Sequence, residues 1–155
     1  MTKRQAWGVM RFVLWTGLLV NLLLLQPAAA ATVRETLEQF GFMGQWAVEC
    51  GQPAAPNNIV RAVNVNANEV SFVERFGDAY EPNVYTIVEA ARGKGETLVL
   101  RVNLGGDNVQ ELTIQRKGNR IRTMRNRGKD GFLVKNGVVV STGRSTTWLT
   151  RCENH

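Results

Sequence analysis

Few residues in this chain of 155 could carry catalytic or metal-binding chemistry. The only histidine is His155, the last residue, and the only cysteines are Cys50 and Cys152. A catalytic triad needs a histidine beside its nucleophile, and a closed zinc site needs about four ligands. The sequence therefore argues against a histidine-based enzyme and against a Cys/His zinc site.

Carboxylates offer the remaining route to catalysis. Glu74, Asp78 and Glu81 are close in sequence, but paired carboxylates hydrolyse glycosides only at defined separations. The serines have no histidine partner other than the terminal one. We therefore predict that the protein is not an enzyme and uses no metal and no cofactor.

The two cysteines are about 100 residues apart. Redox-active cysteines usually keep a close spacing such as C-x-x-C. We therefore predict a structural disulfide between Cys50 and Cys152. In the chain-entropy model, closing a loop of this length stabilises the fold by about 4–5 kcal/mol.

Basic residues are concentrated between positions 116 and 129, where seven of fourteen residues are Lys or Arg and none is acidic. The candidate contacts for an anion are Arg116, Arg120, Arg122, Arg125 and Arg127. Their field could attract lipid headgroups, lipopolysaccharide, phosphate or an anionic protein, and the alternative is a solvated strand pair whose charges prevent aggregation. Nucleic acid is not expected, because aromatic residues are not interleaved with these arginines along the sequence.

Strand alternation complicates the arrangement of the basic residues. By simple parity Arg120 and Arg122 share one face of a strand, whereas Arg125 and Arg127 share the other. The two apolar residues of this strand, Ile121 and Met124, would then lie on opposite faces. We expect the phase to slip near Thr123, at a β-bulge.

The N-terminus has the order of a secretory signal peptide over residues 1–31. Basic residues precede an apolar run from Phe12 to Leu25, and Pro27 and four alanines follow. The run is shorter than the roughly 20 residues of a membrane span, and an uncleaved anchor is the alternative. Cleavage would leave a single domain, 32–155, with no membrane span, in the periplasm or secreted, where disulfides form.

A short helix and a series of strands must position these residues. Val33, Leu37 and Phe40 recur at helical spacing, and Thr32 with Glu35 resembles a capping box, which predicts a helix over 33–40. Period-two alternation then predicts about eight or nine strands joined by short turns, with no helix between them. The predicted strands cover 45–50, 59–65, 70–76, 84–90, 98–104, 109–116, 120–127 and 145–152, and a short hairpin joins 132–134 to 138–140.

These strands should pair as an antiparallel meander. A disulfide requires Cα atoms within about 4.4–6.8 Å, so the first and last strands must approach each other. We therefore predict an all-β fold, an up-and-down barrel of about eight strands with a short N-terminal helix. A β-sandwich is the alternative.

Gly44-Gln45-Trp46, after the helix and at the start of the first strand, resembles the G-x-W signature of lipocalins and related calycin barrels. That resemblance implies a small barrel that holds an apolar ligand. It also implies a basic residue near the last strand, Arg151 or Arg144, packed across Trp46. The stretch Gly44–Cys50 with Arg151-Cys152 is also similar to uncharacterised exported bacterial proteins.

An eight-stranded barrel interior can be filled by side chains or can hold one small ligand. Trp46, Phe72, Leu100 and Trp148 are the candidate residues for lining such a cavity. The expected function is binding of a small apolar or amphipathic molecule. The alternative is a module that binds or inhibits an envelope protein through the basic surface at 116–129.

Overall fold

The computed structural model describes residues 28–66 and 69–153. Most of the predicted signal peptide, residues 1–27, lies outside the described residues. Within the described ranges one helix precedes ten strands. Their bounds are α1 Ala28–Phe40, β1 Gln45–Ala47, β2 Val60–Val65, β3 Val70–Arg75, β4 Asn83–Arg92, β5 Thr97–Asn103, β6 Val109–Lys117, β7 Arg120–Gly128, β8 Gly131–Lys135, β9 Val138–Val139 and β10 Leu149–Cys152.

The strands form an antiparallel sheet that closes into a barrel. β1 to β7 pair in chain order, and β10 pairs with β7 on one side and with β1 on the other. These eight strands complete the ring, and β8 and β9 form a hairpin that extends from β7 outside it. The predicted up-and-down barrel is confirmed, and the sandwich is excluded.

The disulfide between Cys50 and Cys152 is present, as predicted, with its Cα atoms 5.4 Å apart. The prediction that the first strand runs to Cys50 is wrong, because β1 ends at Ala47. Gln45 pairs with Cys152, so a strand continued to Cys50 would carry that residue about 17 Å past its partner. The chain instead turns back, and Asn58 Oδ1 accepts a hydrogen bond from the Glu49 amide at 2.9 Å within this turn.

The last strand is also shorter than predicted, because β10 begins at Leu149 and not at Ser145. The residues before it bond to other parts of the chain. The Thr146 amide donates to the carbonyl of Gly137 at 2.7 Å, and the Thr146 hydroxyl donates to the carbonyl of Thr123 at 2.7 Å. These bonds hold residues 140–148 as a loop against β7 and the β8–β9 hairpin.

Helix α1 includes the predicted helix over 33–40 and ends at Phe40, as predicted, and its described residues reach back to Ala28. Alanine has the highest helix propensity, which accounts for the helical backbone over Ala28–Ala31. Gly41, at φ +77°, and Phe42 donate their amides to the carbonyls of Glu38 and Leu37, a Schellman ending that favours glycine. In the described part of the chain, no helix is long and apolar enough to cross a membrane.

The C-terminal end of α1 covers one end of the barrel. Val33, Leu37 and Phe40 are buried in the core. The Phe40 carbonyl accepts a hydrogen bond from Arg116 Nη1 at 2.6 Å, and the guanidinium carbon atoms of Arg92 and Arg116 lie 5.5 and 5.2 Å from the Phe40 ring centroid. Both arginines are at strand ends, so the helix closes this end of the barrel.

Candidate functional site

A pocket of about 240 Å³ opens into the barrel interior at the end away from α1. The pocket exists because two strands, β10 and β8, pair with different parts of the same edge of β7. Arg120 and Ile121 pair with β10, whereas Asn126 to Gly128 pair with β8. The carbonyls of Thr123 and Met124, between these pairings, bond to Thr146 and Gly137 instead. The resulting gap in the barrel wall forms part of the pocket.

The pocket combines apolar walls with a polar floor. Ile59, Leu112, Val134, Val139 and Leu149 supply aliphatic surface. Arg61, Glu74, Tyr85, Thr123 and Asn126 supply polar groups from four strands of the ring. Such a mixture suits a ligand with one polar end and one apolar end.

Arg61 and Glu74 form an ion pair within the barrel. They are directly opposite each other on β2 and β3, and their side chains are 5% and 13% exposed. Arg61 Nε donates to Glu74 Oε1 at 2.9 Å, and Nη2 also contacts Glu74 Oε1. Nη2 donates as well to Thr123 Oγ1 at 3.2 Å. The guanidinium lies over the Phe72 ring at 5.1 Å, so bonds and ring contacts fix its position.

Two residues that line the pocket each have a buried polar atom that lacks a partner among the described residues, Arg61 Nη1 and Asn126 Oδ1. Nη1 is a charged donor and Oδ1 is an acceptor. A buried polar atom without a partner costs about 1–3 kcal/mol. Both residues line the pocket, but neighbouring atoms cover these two polar atoms, so a bound molecule reaches them only by shifting the side chains over them.

Tyr85 is a neutral phenol in this site. Burial, followed by the negative charge of Glu74, raises the pKa of the Tyr85 hydroxyl well above its ordinary value, and the weaker effect of Arg61 opposes this. Its ring stacks on Phe72 with centroids 4.4 Å apart. Asn83 Nδ2 donates to the Tyr85 hydroxyl oxygen at 3.3 Å. The phenol is therefore held in place at the pocket wall.

Trp46, Phe72 and Leu100, which the sequence proposed as cavity residues, are core residues. They are 1%, 0% and 0% exposed, so they border no space that water could enter. Phe42 packs edge-on against Phe72, with centroids 5.9 Å apart. The part of the interior nearest α1 is therefore solid.

Trp148, the fourth proposed cavity residue, does not line the pocket. It precedes Leu149, which is buried, and side chains alternate along the chain here. Its ring is contacted by the guanidinium groups of Arg120 and Arg122, at 5.4 and 4.6 Å from the centroid. Trp148 therefore belongs to the outer surface of the barrel.

Trp46 has the environment that the lipocalin resemblance implies. Its indole Nε1 donates to the carbonyl of Phe42 at 2.8 Å. The guanidinium of Arg151, which pairs with Trp46 across β1 and β10, lies 6.0 Å from the centroid of its ring. Of the two arginines that the sequence allowed, Arg151 is the one at the tryptophan, because Arg144 lies in the loop before β10.

Four of the five predicted anion-binding arginines share the outer face of β7. The β6–β7 register shifts between Thr113 and Ile114, leaving Met124 as the extra residue, at the slip that the sequence predicted near Thr123. Arg120, Arg122, Arg125 and Arg127 therefore alternate with inward residues on both sides of the bulge. Arg116 is separate from them, because it bonds to Phe40 and to Glu96.

Aromatic residues are not interleaved with these arginines along the sequence, but two aromatic rings lie beside them in space. Trp148, from the loop before β10, contacts Arg120 and Arg122. Phe132, from β8, contacts Arg125, Arg127 and Lys135 at 5.1, 5.6 and 5.7 Å. Long-range strand pairing brings in both rings.

The acidic residues considered for catalysis do not form a cluster. Glu74 pairs with Arg61 in the barrel, whereas Asp78 and Glu81 are exposed in the loop before β4. Among residues 28–66 and 69–153, no three His, Cys, Asp or Glu side chains are placed to hold a metal ion. His155 lies outside the described residues.

The sequence reasoning missed Arg61 and considered Glu74 only as a catalytic carboxylate, although the signal for their pairing was present. Phe72 was proposed for the barrel interior, Val63 is an apolar residue of the predicted strand 59–65, and residues two positions apart on a strand face the same side. Arg61 is two residues before Val63, and Glu74 is two residues after Phe72. Parity alone therefore places an opposite-charge pair inside the barrel.

Comparisons of this chain with protein-family models, with curated proteins and with solved structures found no significant match.

Proposed function

We propose that the protein binds a small amphipathic molecule in the pocket between β2, β7 and the β8–β9 hairpin. A hydrogen-bond acceptor at one end of the ligand accepts from Arg61 Nη1, and its apolar part packs against Leu112, Val134 and Leu149. The observation that carries this proposal is the Nη1 donor of a pocket-lining arginine, buried and unpaired within the described residues, which a ligand reaches by shifting the side chains over it. No covalent bond changes in this function.

The pocket volume limits the size of the ligand. Pockets for drug-sized molecules measure about 300–1,000 Å³, whereas a cavity of about 150 Å³ already takes benzene. At about 240 Å³, this pocket fits a ring or a short chain with one small polar group. Larger lipids do not fit, because the interior beyond Phe72 is filled.

We also propose that the protein acts outside the cytoplasm, in the periplasm or as a secreted protein. The disulfide supports this location, because such bonds persist mainly in oxidising compartments. The arrangement of Trp46 and Arg151 supports a lipocalin-like origin for the barrel. Mass measurement of the protein from its own host should show an N-terminus at Thr32 and no free thiols. A retained leader or two free thiols would contradict the location.

The ligand proposal is tested with three probes of one size: benzoate, acetophenone and ethylbenzene. Calorimetric titration should show that the two oxygen-bearing probes bind about 10- to 150-fold more tightly than ethylbenzene. This range follows from the roughly 1.5–3 kcal/mol of a hydrogen bond to a charged group. Equal affinities for the three probes, or no binding of any of them, would contradict the role of Nη1.

The deciding variant replaces both charges, Arg61→Met with Glu74→Leu, because exchanging a whole buried ion pair for apolar residues often leaves stability unchanged. We expect this variant to lose the preference for oxygen-bearing probes. The matched control is Arg101→Met with Glu89→Leu, which removes an exposed cross-strand pair of the same types, 2.8 Å apart. The control should bind as the unmodified protein does.

A further inference from the structure

The outer face of β7 and the β8–β9 hairpin presents one continuous basic surface. We call it the basic face and define it by Arg120, Arg122, Arg125, Arg127 and Lys135, together with the rings of Trp148 and Phe132. The bulge at Met124 places all four arginines on the same side of the strand. Every one of these five cations lies within 5.7 Å of a ring centroid. The ring contacts hold the charges at the surface.

Little negative charge opposes the basic face. In the described part of the chain, Glu111 is the carboxylate that pairs with one of these arginines, at 3.4 Å from Arg125. The opposite charges of Lys129 and Asp130, in the turn between β7 and β8, cancel each other. The face therefore keeps a net positive charge and favours an anionic partner.

Exposed aliphatic side chains accompany these charges. Leu133, Val138 and Val140 on the β8–β9 hairpin and just after it are 51%, 36% and 58% exposed. They lie close together, because the Val140 amide donates to the Leu133 carbonyl at 2.9 Å and Val138 pairs with Lys135. Clustered apolar exposure of this kind marks an interaction surface, whereas scattered apolar residues do not.

We propose that the basic face docks on the surface of a bilayer that contains acidic phospholipids. The arginines and Lys135 contact the phosphates of the headgroups, and Leu133, Val138 and Val140 enter the boundary between headgroups and acyl chains. Single-stranded nucleic acid suits this surface less well. Its bases stack on open aromatic faces, whereas Trp148 and Phe132 are already covered by cations, and the aliphatic cluster has no role in such a complex.

This proposal does not rest on ligand binding in the pocket, and it is tested separately. The protein, as its host accumulates it, is mixed with phosphatidylcholine vesicles that contain or lack phosphatidylglycerol, and flotation gives the bound fraction. We expect binding only with phosphatidylglycerol, and weaker binding at high salt because exposed charges are screened. Equal binding to both vesicles, or binding to neither, would overturn the proposal.

Two pairs of variants divide the surface into its charged and apolar parts. Arg120→Gln with Arg127→Gln should weaken vesicle binding about thirtyfold, at about fivefold for each charge. The charge-matched control, Arg75→Gln with Lys94→Gln, changes exposed residues on β3 and in the turn between β4 and β5, strands that do not pair with β7, and should bind normally. A control that weakens binding as much as the test variant would mean that only net charge matters, and would overturn the assignment to this face.

The apolar part is tested by Leu133→Ser with Val140→Ser, for which we expect at least tenfold weaker binding at unchanged net charge. Its control is Val84→Ser with Val88→Ser on β4, where the two valines are 49% and 45% exposed. Unchanged binding of the Leu133 and Val140 variant would contradict insertion. Tighter binding of an oligothymidylate than of the acidic vesicles, with the same sensitivity to the arginine changes, would replace the lipid with nucleic acid.

Discussion

The Arg61–Glu74 pair is costly for a barrel of this size. Removing two charges from water costs several kcal/mol for each ion, and apolar residues of similar volume are often as good for stability. The pair here leaves Arg61 Nη1 without a partner among the described residues. A ligand that supplies a hydrogen-bond acceptor to Nη1 would offset this cost. For this reason we propose that the pair takes part in ligand binding.

Tyr85 links this pair to the alkaline stability of the protein. The unfolded chain releases the tyrosine proton near pH 10, whereas burial and Glu74 raise the pKa of the Tyr85 hydroxyl in the folded state. A raised folded-state pKa contributes stability that is fully present below the unfolded pKa and is lost as the pH rises towards the folded pKa. The loss reaches about 1.4 kcal/mol for each pH unit.

Tyr85→Phe should therefore flatten the fall in the free energy of unfolding between about pH 10 and pH 12. Urea denaturation at a series of pH values measures this slope. Tyr80→Phe, at a tyrosine that is 57% exposed, is the control and should follow the unmodified protein. The interpretation is wrong if both variants show the same slope.

Among the strands, β7 does the most to shape both surfaces. Its bulge at Met124 keeps Ile121, Thr123 and Asn126 inside while Arg122 and Arg125 face out. Without the bulge, strict alternation along β7 would place Arg125 and Arg127 in the interior of the barrel. The same bulge leaves the Met124 carbonyl free to bond to Gly137, at 2.8 Å, which anchors the tip of the β8–β9 hairpin.

Deleting Met124 should leave the barrel folded, because the remaining residues of β7 then alternate regularly with the same faces inward. We expect a loss of about 1–3 kcal/mol, from the contacts of a partly buried methionine. Deleting Arg101 from β5, which pairs with β6 without a bulge, should abolish cooperative unfolding, because Val102 would turn outward.

Urea denaturation followed by tryptophan fluorescence compares the two deletions. The removed Arg101 side chain is itself 56% exposed, so its lost contacts alone would cost little. Equal tolerance of both deletions would contradict the phase argument.

The molecule as a whole is organised around the closure of its sheet. β10 completes the ring between β1 and β7, but only four residues of β10 and three of β1 form this part of the wall. The disulfide joins the chain beside this short pairing, and α1 covers the adjacent end. Closure therefore depends on the covalent bond more than it would between longer strands.

Cys50→Ser with Cys152→Ser should lower the free energy of unfolding by about 4–5 kcal/mol, because the unfolded chain regains the entropy of an open loop of about 100 residues. Urea denaturation of the variant and of the reduced unmodified protein should give the same midpoint. A midpoint that reduction does not change would show that the disulfide adds no stability.

The sequence was sufficient for the all-β class, the strand series, the disulfide and the bulge near Thr123. These features depend on local alternation, turn residues and a single pair of cysteines. Short-range signals also indicated the α1 stripe and the place of Trp46. The errors of the sequence prediction were at strand ends, at Cys50 and Ser145, where bonds to distant residues decide the boundary.

The two candidate surfaces depended on contacts between residues far apart in the chain. Arg61 meets Thr123 across 62 positions, and Trp148 reaches Arg122 only because β10 returns to β7. Strand pairing fixes which side chains share a face, and alternation along one strand carries no information about its neighbours in the ring. For this reason strand alternation and the cysteine pair were enough to predict the barrel, whereas the pocket and the basic face could be identified only in the tertiary structure.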